Sequence, residues 1–352
     1  MTRIAVDAMG GDHAPSEIVK GAVWAASEYN VAIELVGQID KIQEVLDEIA
    51  KKGIRSNRGG YFIKTIRVDL SKLDIKLTQA DEIIEMGEAV GVAIRKKKNS
   101  SIVLAVDAVA KGSSDAVVAA GSTGAAMASS LFGLGRIKGI ERPAIATTLP
   151  TKREPVILID AGANSACTPE MLFQFALMGS TFAKNVYNRP NPKIGVLNIG
   201  EEEGKGNQLV KDTYKLLKEN TIGLNFIGNI EGREIFNGDV EIVVCDGFVG
   251  NVALKTIEGC SMMLLKLIQQ EFMCDWVSKL AGLLAKPFMR RVYKRINYEE
   301  FGGALLLGVK GITVISHGRS SSYAIKNAVR VAKEAVEAEV NKKIAELINL
   351  WG

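Results

Sequence analysis

The chain has little of what metal and disulfide chemistry need. Only four cysteines and two histidines occur among 352 residues, and Cys167, Cys245, Cys260 and Cys274 make no CxxC pair. A zinc site built with His13 or His317 is therefore not expected, and the thiols, set in apolar or small-residue runs, read as reduced. Excess charge of one sign is small too: a net charge of +4 gives no reason to expect nucleic-acid binding and only weakly favours acidic partners. No apolar run of the ~20 residues that a membrane span requires is expected. The opening Met1-Thr2-Arg3-Ile4-Ala5-Val6-Asp7 meets a carboxylate too early for a secretory leader. Together these absences point to the cytoplasm and limit any bilayer contact to its surface.

With 47% apolar and 24% charged residues, the chain can bury a large core. Short β-branched runs recur at Ile4 to Val6, Ala32 to Val36, Ala116 to Ala119, Pro155 to Ile159, Ile194 to Asn198, Val240 to Val244 and Ile312 to Ile315. Between them lie segments of helical period: Glu17 to Tyr29, Ile42 to Lys51, Ala125 to Arg136, Met171 to Lys184 and Ser321 to Ile348. This alternation predicts an α/β fold, a three-layer αβα sandwich around a mostly parallel sheet.

Four of the strand-like runs end in small, glycine-bearing turns: Asp7 to Asp12, Ala120 to Gly124, Asp160 to Asn164, and Asp246 to Asn251. Any one of them could be only a tight turn, since glycine supplies positive φ anywhere. Gathered at the carboxyl edge of a parallel sheet, their N–H groups and helix N-termini would face one anion-binding crevice. Candidate ligands for an anion are Asp7, Gly10, Gly11, Ser122, Thr123, Gly124, Asn164, Asn207, Asp246 and Gly250, with Lys205, Asn251, Lys255 and His317 as catalytic candidates. His317, at the start of the last helix, reads equally as a capping residue. Lys205 stands between glycines, which an ordinary surface lysine would not require.

Two familiar phosphate motifs fail. Gly200-Glu201-Glu202-Glu203-Gly204-Lys205-Gly206 lacks the P-loop spacing and its hydroxyl residue, and Gly133-Leu134-Gly135-Arg136-Ile137-Lys138-Gly139 has one residue too many for a dinucleotide fingerprint.

After Asn251 the pattern becomes two long helices, Asn251 to Met273 and Trp276 to Ile296, expected to protrude as a pair over about 251–299 from a core of about 1–250 and 300–352. The second sets Trp276, Leu280, Leu283 and Leu284 beside Lys286, Arg290, Arg291 and Lys294 without an acid. Such a face suits an anionic membrane or an acidic protein, and equally a dimer-forming pair with solvated cations.

At these residues the sequence resembles the phosphate acyltransferase family of bacterial phospholipid synthesis, called PlsX, similar in fold to phosphotransacetylases and to isocitrate and isopropylmalate dehydrogenases. The resemblance rests on Ala5-Val6-Asp7-Ala8-Met9-Gly10-Gly11-Asp12-His13-Ala14-Pro15, Arg95 to Ser101, Ala120 to Ala125, Gly135 to Pro143 and Asp160 to Asn164. It continues through Gly200-Glu201-Glu202 with Lys205-Gly206-Asn207, then Asp246 to Lys255, Gly302 to Gly308 and His317-Gly318. It departs at Ala304-Leu305-Leu306, where many relatives have proline, and at Glu85 to Val90, a stretch that would shape the acyl entrance.

The resemblance implies transfer of an acyl group from acyl carrier protein to inorganic phosphate, as a homodimer at the inner membrane face, feeding a glycerol-3-phosphate acyltransferase, with no metal or nucleotide cofactor. Three rivals remain open at this point: a coenzyme A-dependent transacylase, a decarboxylating dehydrogenase lacking convincing paired metal-binding aspartates, and a scaffold that recruits carrier protein without turnover.

Overall fold

A computed structural model describes residues 1–57, 63–85, 87–219 and 223–351; Met86, in the stretch expected to shape the acyl entrance, lies outside them. In chain order the strands are β1 (Arg3–Asp7), β2 (Ala32–Gly37), β3 (Ile54–Asn57), β4 (Ile63–Ile66), β5 (Ile75–Gln79), β6 (Ala116–Ala119), β7 (Ala144–Leu149) and β8 (Val156–Ile159). They continue with β9 (Lys193–Asn198), β10 (Asn225–Glu231), β11 (Ile242–Val244), β12 (Ala304–Leu307) and β13 (Ile312–Ile315). The helices are α1 (Ser16–Tyr29), α2 (Ile39–Lys52), α3 (Val90–Lys96), α4 (Ser101–Ala110), α5 (Thr123–Gly133) and α6 (Pro169–Val186). The rest are α7 (Gln208–Lys218), α8 (Gly247–Glu271), α9 (Trp276–Ile296), α10 (Ser322–Glu337) and α11 (Val340–Trp351).

Eleven strands form one sheet in the order β10-β9-β11-β8-β7-β12-β13-β6-β1-β2-β5, and β3 pairs with β4 apart from it. Side chains alternate along the strands, so both faces are buried. Ile4, Val6, Ile33 and Leu35 pack with residues of α1, α2, α6, α10 and α11. Ala5, Val36, Val117 and Ala119 pack on the opposite side with α4 and α5. The expected three layers are present.

The sheet is not a single parallel array. β13, β6, β1, β2 and β5 run one way, and β8, β11, β9 and β10 form a second parallel block. Antiparallel pairings of β12 with β13, β12 with β7, and β7 with β8 join the blocks and reverse the direction between them. The glycine turns therefore do not share one carboxyl edge. Ile315 at the end of β13 aligns with Ala304, and Ile159 at the end of β8 aligns with Ala146, one residue from the position facing Ala304. Strand ends from opposite-running blocks thus overlap above the middle of the sheet.

The segment from Ser321 to Ile348 is two helices rather than one. Glu339 takes φ 50, and the turn lets Val340, Ile344 and Ile348 bury themselves in the core. The helical pair after β11 is as expected in outline, with an Asp275 cap opening α9. Trp276, Leu280, Leu283 and Leu284 are exposed on α9, as are Met262, Leu264 and Leu267 on α8. Contrary to the composition reading, α8 is long and apolar enough by length and hydropathy alone to cross a membrane, at a mean hydropathy of 1.2. Part of this apolar content is engaged locally, since Leu254 and Ile257 pack onto the sheet and further residues wall the crevice described next, but most of the helix is exposed.

Candidate active site

The second block contributes a rigid corner. Asp160, fully buried after β8, accepts N–H bonds from Ile145 (3.0 Å), Gly162 (3.1 Å), Ala163 (2.9 Å) and Asn164 (2.8 Å), and from the Asn164 amide (2.9 Å). Burial pushes its pKa up against the pull of these donors. Gly250 packs so tightly that an added Cβ would fall inside the Asp160 carbonyl oxygen, which leaves only glycine possible there. One helical step on, Asn251 sets its carboxamide carbon 3.4 Å from where a Cβ on Gly162 would stand.

The first block supplies the opposing corner. Gly11, at φ +104, lies against the Ala120 and Gly318 carbonyls, and the Asp12 N–H donates to the Gly318 carbonyl at 2.8 Å. The turns after β1, β6 and β13 are thereby tied together. Ser122 caps α5 by accepting the Ala125 N–H, so the leading N–H groups of the helix, at Thr123 and Gly124, have no partner within the helix and form a site for negative charge.

These corners face one crevice of about 980 Å³. Thr123, Gly124, Gly162, Asn251, Lys255, His317 and Gly318 are among the residues that line it. Lys255 pairs with Glu258 at 2.7 Å on the same helix and keeps half its side chain exposed. His317 Nδ1 accepts the Arg319 N–H at 3.2 Å, which places the proton of the neutral ring on Nε2. Partial burial, and then the Lys255 cation, lower the His317 pKa, with Arg319 adding to the effect and Glu258 and Asp12 opposing it. The imidazole is therefore neutral at neutral pH.

Not every candidate residue reaches this crevice. Asp7, Gly10 and Ser122 line a separate recess of about 10 Å³ behind Gly121, where burial pushes the Asp7 pKa up. Asp7 accepts the Met9 N–H, a turn-holding role. Asp246 caps α8 through the Phe248 and Val249 N–H groups. Asn164 spends its amide on Asp160 and the Pro143 carbonyl. Asn207 caps α7, and Lys205 is exposed on the loop after β9, held through its backbone by Asn198 and Glu202. Among the described residues, neither Lys205 nor Asn207 lines the crevice.

Sequence reasoning missed the floor, made by Ile145, Thr147 and Leu149 of β7. The alternation in Ala144-Ile145-Ala146-Thr147-Thr148-Leu149 was the available signal. Cys167 lies close by, its Sγ 3.6 Å from the Asn164 carbonyl. Burial and then the Asp160 charge push that thiol up to about 11, leaving it protonated at neutral pH. Among the described residues, no group of three or more His, Cys, Asp or Glu side chains could hold a metal ion.

Comparison with known proteins agrees with this architecture. Residues 2–343 match the model of a family described as fatty acid synthesis protein. A phosphate acyltransferase of Dictyoglomus turgidum is 48% identical over 348 residues, covering 99% of this chain and 98% of that one. A phosphate acyltransferase of Heliobacterium modesticaldum is 50% identical over 346 residues, covering 98% and 97%. Among solved structures, a phosphotransacetylase from Streptococcus pyogenes superposes with a TM-score of 0.60 at 16% identity, covering 96% of this chain and 94% of that one. A branched-chain phosphotransacylase from Enterococcus faecalis V583 gives 0.55 at 16% identity, covering 96% and 99%. At such identity the superpositions establish the fold alone. The sequence matches run almost end to end, and on them the chain belongs to the fatty acid synthesis protein family, the PlsX group of phosphate acyltransferases, and is an acyltransferase enzyme.

Proposed function

We propose that the chain moves a fatty acyl group from the thioester of an acyl carrier protein to inorganic phosphate, yielding acyl phosphate for glycerol-3-phosphate acylation. One observation carries this reading: the α5 N-terminus, Asn251, Lys255 and His317 line one crevice whose surface is mainly apolar. An anion and an acyl chain can therefore meet in one place.

Phosphate docks on the Thr123 and Gly124 N–H groups with Lys255 supplying positive charge. Its oxygen attacks the thioester carbonyl carbon, and the Asn251 amide or the His317 Nε2–H donates to the tetrahedral oxyanion. Collapse breaks the C–S bond. The phosphopantetheine thiol, with an ordinary pKa of ~8.5, leaves as thiolate and takes its proton from solvent. Phosphate is already anionic, so positioning matters more than a strong base, and no covalent acyl-enzyme is needed.

The same reading extends to assembly and place. The exposed apolar residues of α8 and α9 suit a second copy of the chain, and the Trp276, Leu280, Leu283 and Leu284 side with Lys286, Arg290, Arg291 and Lys294 suits the anionic inner face of the cell membrane. The protein would then work in the cytoplasm at that surface, handing its product to a glycerol-3-phosphate acyltransferase.

The test is direct: purified protein, acyl-acyl carrier protein and phosphate should yield acyl phosphate and free carrier protein. Preference for acetyl-coenzyme A as donor would favour the coenzyme A-dependent reading, and binding of the carrier without turnover would favour a scaffold. Light scattering gives the oligomeric state, and flotation with phosphatidylglycerol vesicles reports membrane binding.

A further inference from the structure

The crevice is far larger than phosphate and a thioester require, and its remaining space has a consistent character. From the Asp160 corner, β7 carries Ile145, Thr147 and Leu149 along the floor, each pair separated by about 7 Å at the strand rise of ~3.3 Å per residue. Antiparallel register sets Ala304 opposite Thr147, and Ile315 opposite Ala304. The floor at this row is therefore three strands wide and paved with small or apolar side chains. On α8, Ser261 and Leu265 line the same crevice one turn apart, about 15 and 21 Å along the helix from Asn251 at a rise of ~1.5 Å per residue, and are half-buried, whereas Met262 and Met263, which also line it, are exposed.

Two carboxylates along this limb are already engaged. The Glu299 carboxylate accepts from Ser321 Oγ at 2.6 Å and from the Asn297 amide at 3.2 Å, and Glu258 is held by Lys255. A chain running from Asn251 past Thr147 toward Leu265 meets a mainly apolar surface. The limb is also continuous with the part of the crevice that holds Asn251 and His317, so a group anchored there at one end must lead into it.

We infer that this limb is the acyl-chain subsite, and that Leu265 on α8 and Thr147 on β7 set the chain length the enzyme accepts. The inference rests on the acyl-transfer reading and deepens it: the occupant is an unbranched saturated acyl chain, entering carbonyl first beside Asn251. Each methylene buried in such a limb multiplies affinity by about fourfold, so closing the limb must discriminate against long donors and spare short ones.

The experiment measures kcat/KM for hexanoyl- and palmitoyl-acyl carrier protein with the full-length protein and two obstructing variants, Leu265→Trp and Thr147→Phe. Each variant should lower the palmitoyl-to-hexanoyl ratio by about tenfold or more while hexanoyl transfer stays within about threefold of the unsubstituted chain. Leu265→Ala, which opens the limb, should leave the ratio unchanged or raise it. One obstruction comes from a protruding helix and the other from the sheet, so a shared folding defect does not produce this pattern. Equal loss on both donors, or an unaltered ratio in both variants, overturns the inference. Leu265→Trp splitting a dimer while the ratio stays put would assign the limb to a second copy of the chain. Should the unsubstituted protein transfer no acyl group at all, the acyl-transfer reading fails. Calorimetry with palmitate then still decides the subsite: binding weakened by Leu265→Trp upholds it, and no binding removes it.

Discussion

Gly162 and Asn251 meet face to face across the seam between β8 and α8: a Cβ on Gly162 would stand 3.4 Å from the Asn251 carboxamide carbon. Gly162 also has φ +135, a region other residues rarely occupy. Gly162→Ala should therefore cost about 1–3 kcal/mol of stability through strain and displace Asn251. A denaturant midpoint and a phosphate-dependent rate, both lowered, are expected; an unchanged rate would take Asn251 out of the reaction.

Asp160 holds the same corner from beneath. Its carboxylate oxygens face only N–H donors, so Asp160→Asn turns an NH2 group toward at least one of them. The expected loss is about 3 kcal/mol, visible as a lower midpoint in urea. Stability equal to that of the unsubstituted chain would mean that the turn is held by other contacts.

Lys255 and Lys205 give opposite expectations. Lys255 lines the crevice and its exposed pairing with Glu258 is worth at most about 1 kcal/mol, so Lys255→Ala should leave the melting temperature nearly unaltered. The KM for phosphate should rise about tenfold or more, the value of a hydrogen bond to a charged partner. Lys205, on its exposed loop, should change that KM by no more than about threefold when replaced by Ala, because an exposed charge outside the crevice is screened. The reverse ranking in a kinetic titration of phosphate would return Lys205 to the site.

His317 should titrate below its ordinary 6.5, as its burial and the Lys255 cation require. Between the lowered value and 6.5 the unfolded chain binds more protons than the folded one, so this residue makes stability rise with pH across that window. Imidazole chemical shifts should place the midpoint below 6.5 and move it upward in Lys255→Gln, where the repelling cation is gone. A midpoint that ignores the substitution would separate the two side chains electrostatically.

Much of the molecule is legible one segment at a time because its signals are local. β-branched runs mark β1, β2, β6, β9 and β13, and helical period marks α1, α2, α5, α6, α8 and α9, whereas α7 is not marked and Ser122, Asn207 and Asp246, expected to bind an anion, cap α5, α7 and α8. β7 escapes notice because alanines and threonines interrupt its apolar pattern, and β12 because it sits between glycines Gly303 and Gly308 that suggest a loop. The break at Glu339 is equally silent, since period alone continues through it.

By itself, then, the amino-acid order determined the strand-and-helix alternation, the Asp-opened glycine turns and the amphipathic pair, each of which depends on neighbours within a few residues. Only tertiary structure decided that the two parallel blocks run in opposite directions, that Thr123, Asn251, Lys255 and His317 share a crevice, and that Lys205 does not line it. The direction of a strand within a sheet is a property of its partners, found far away along the chain. No pattern inside a strand records it.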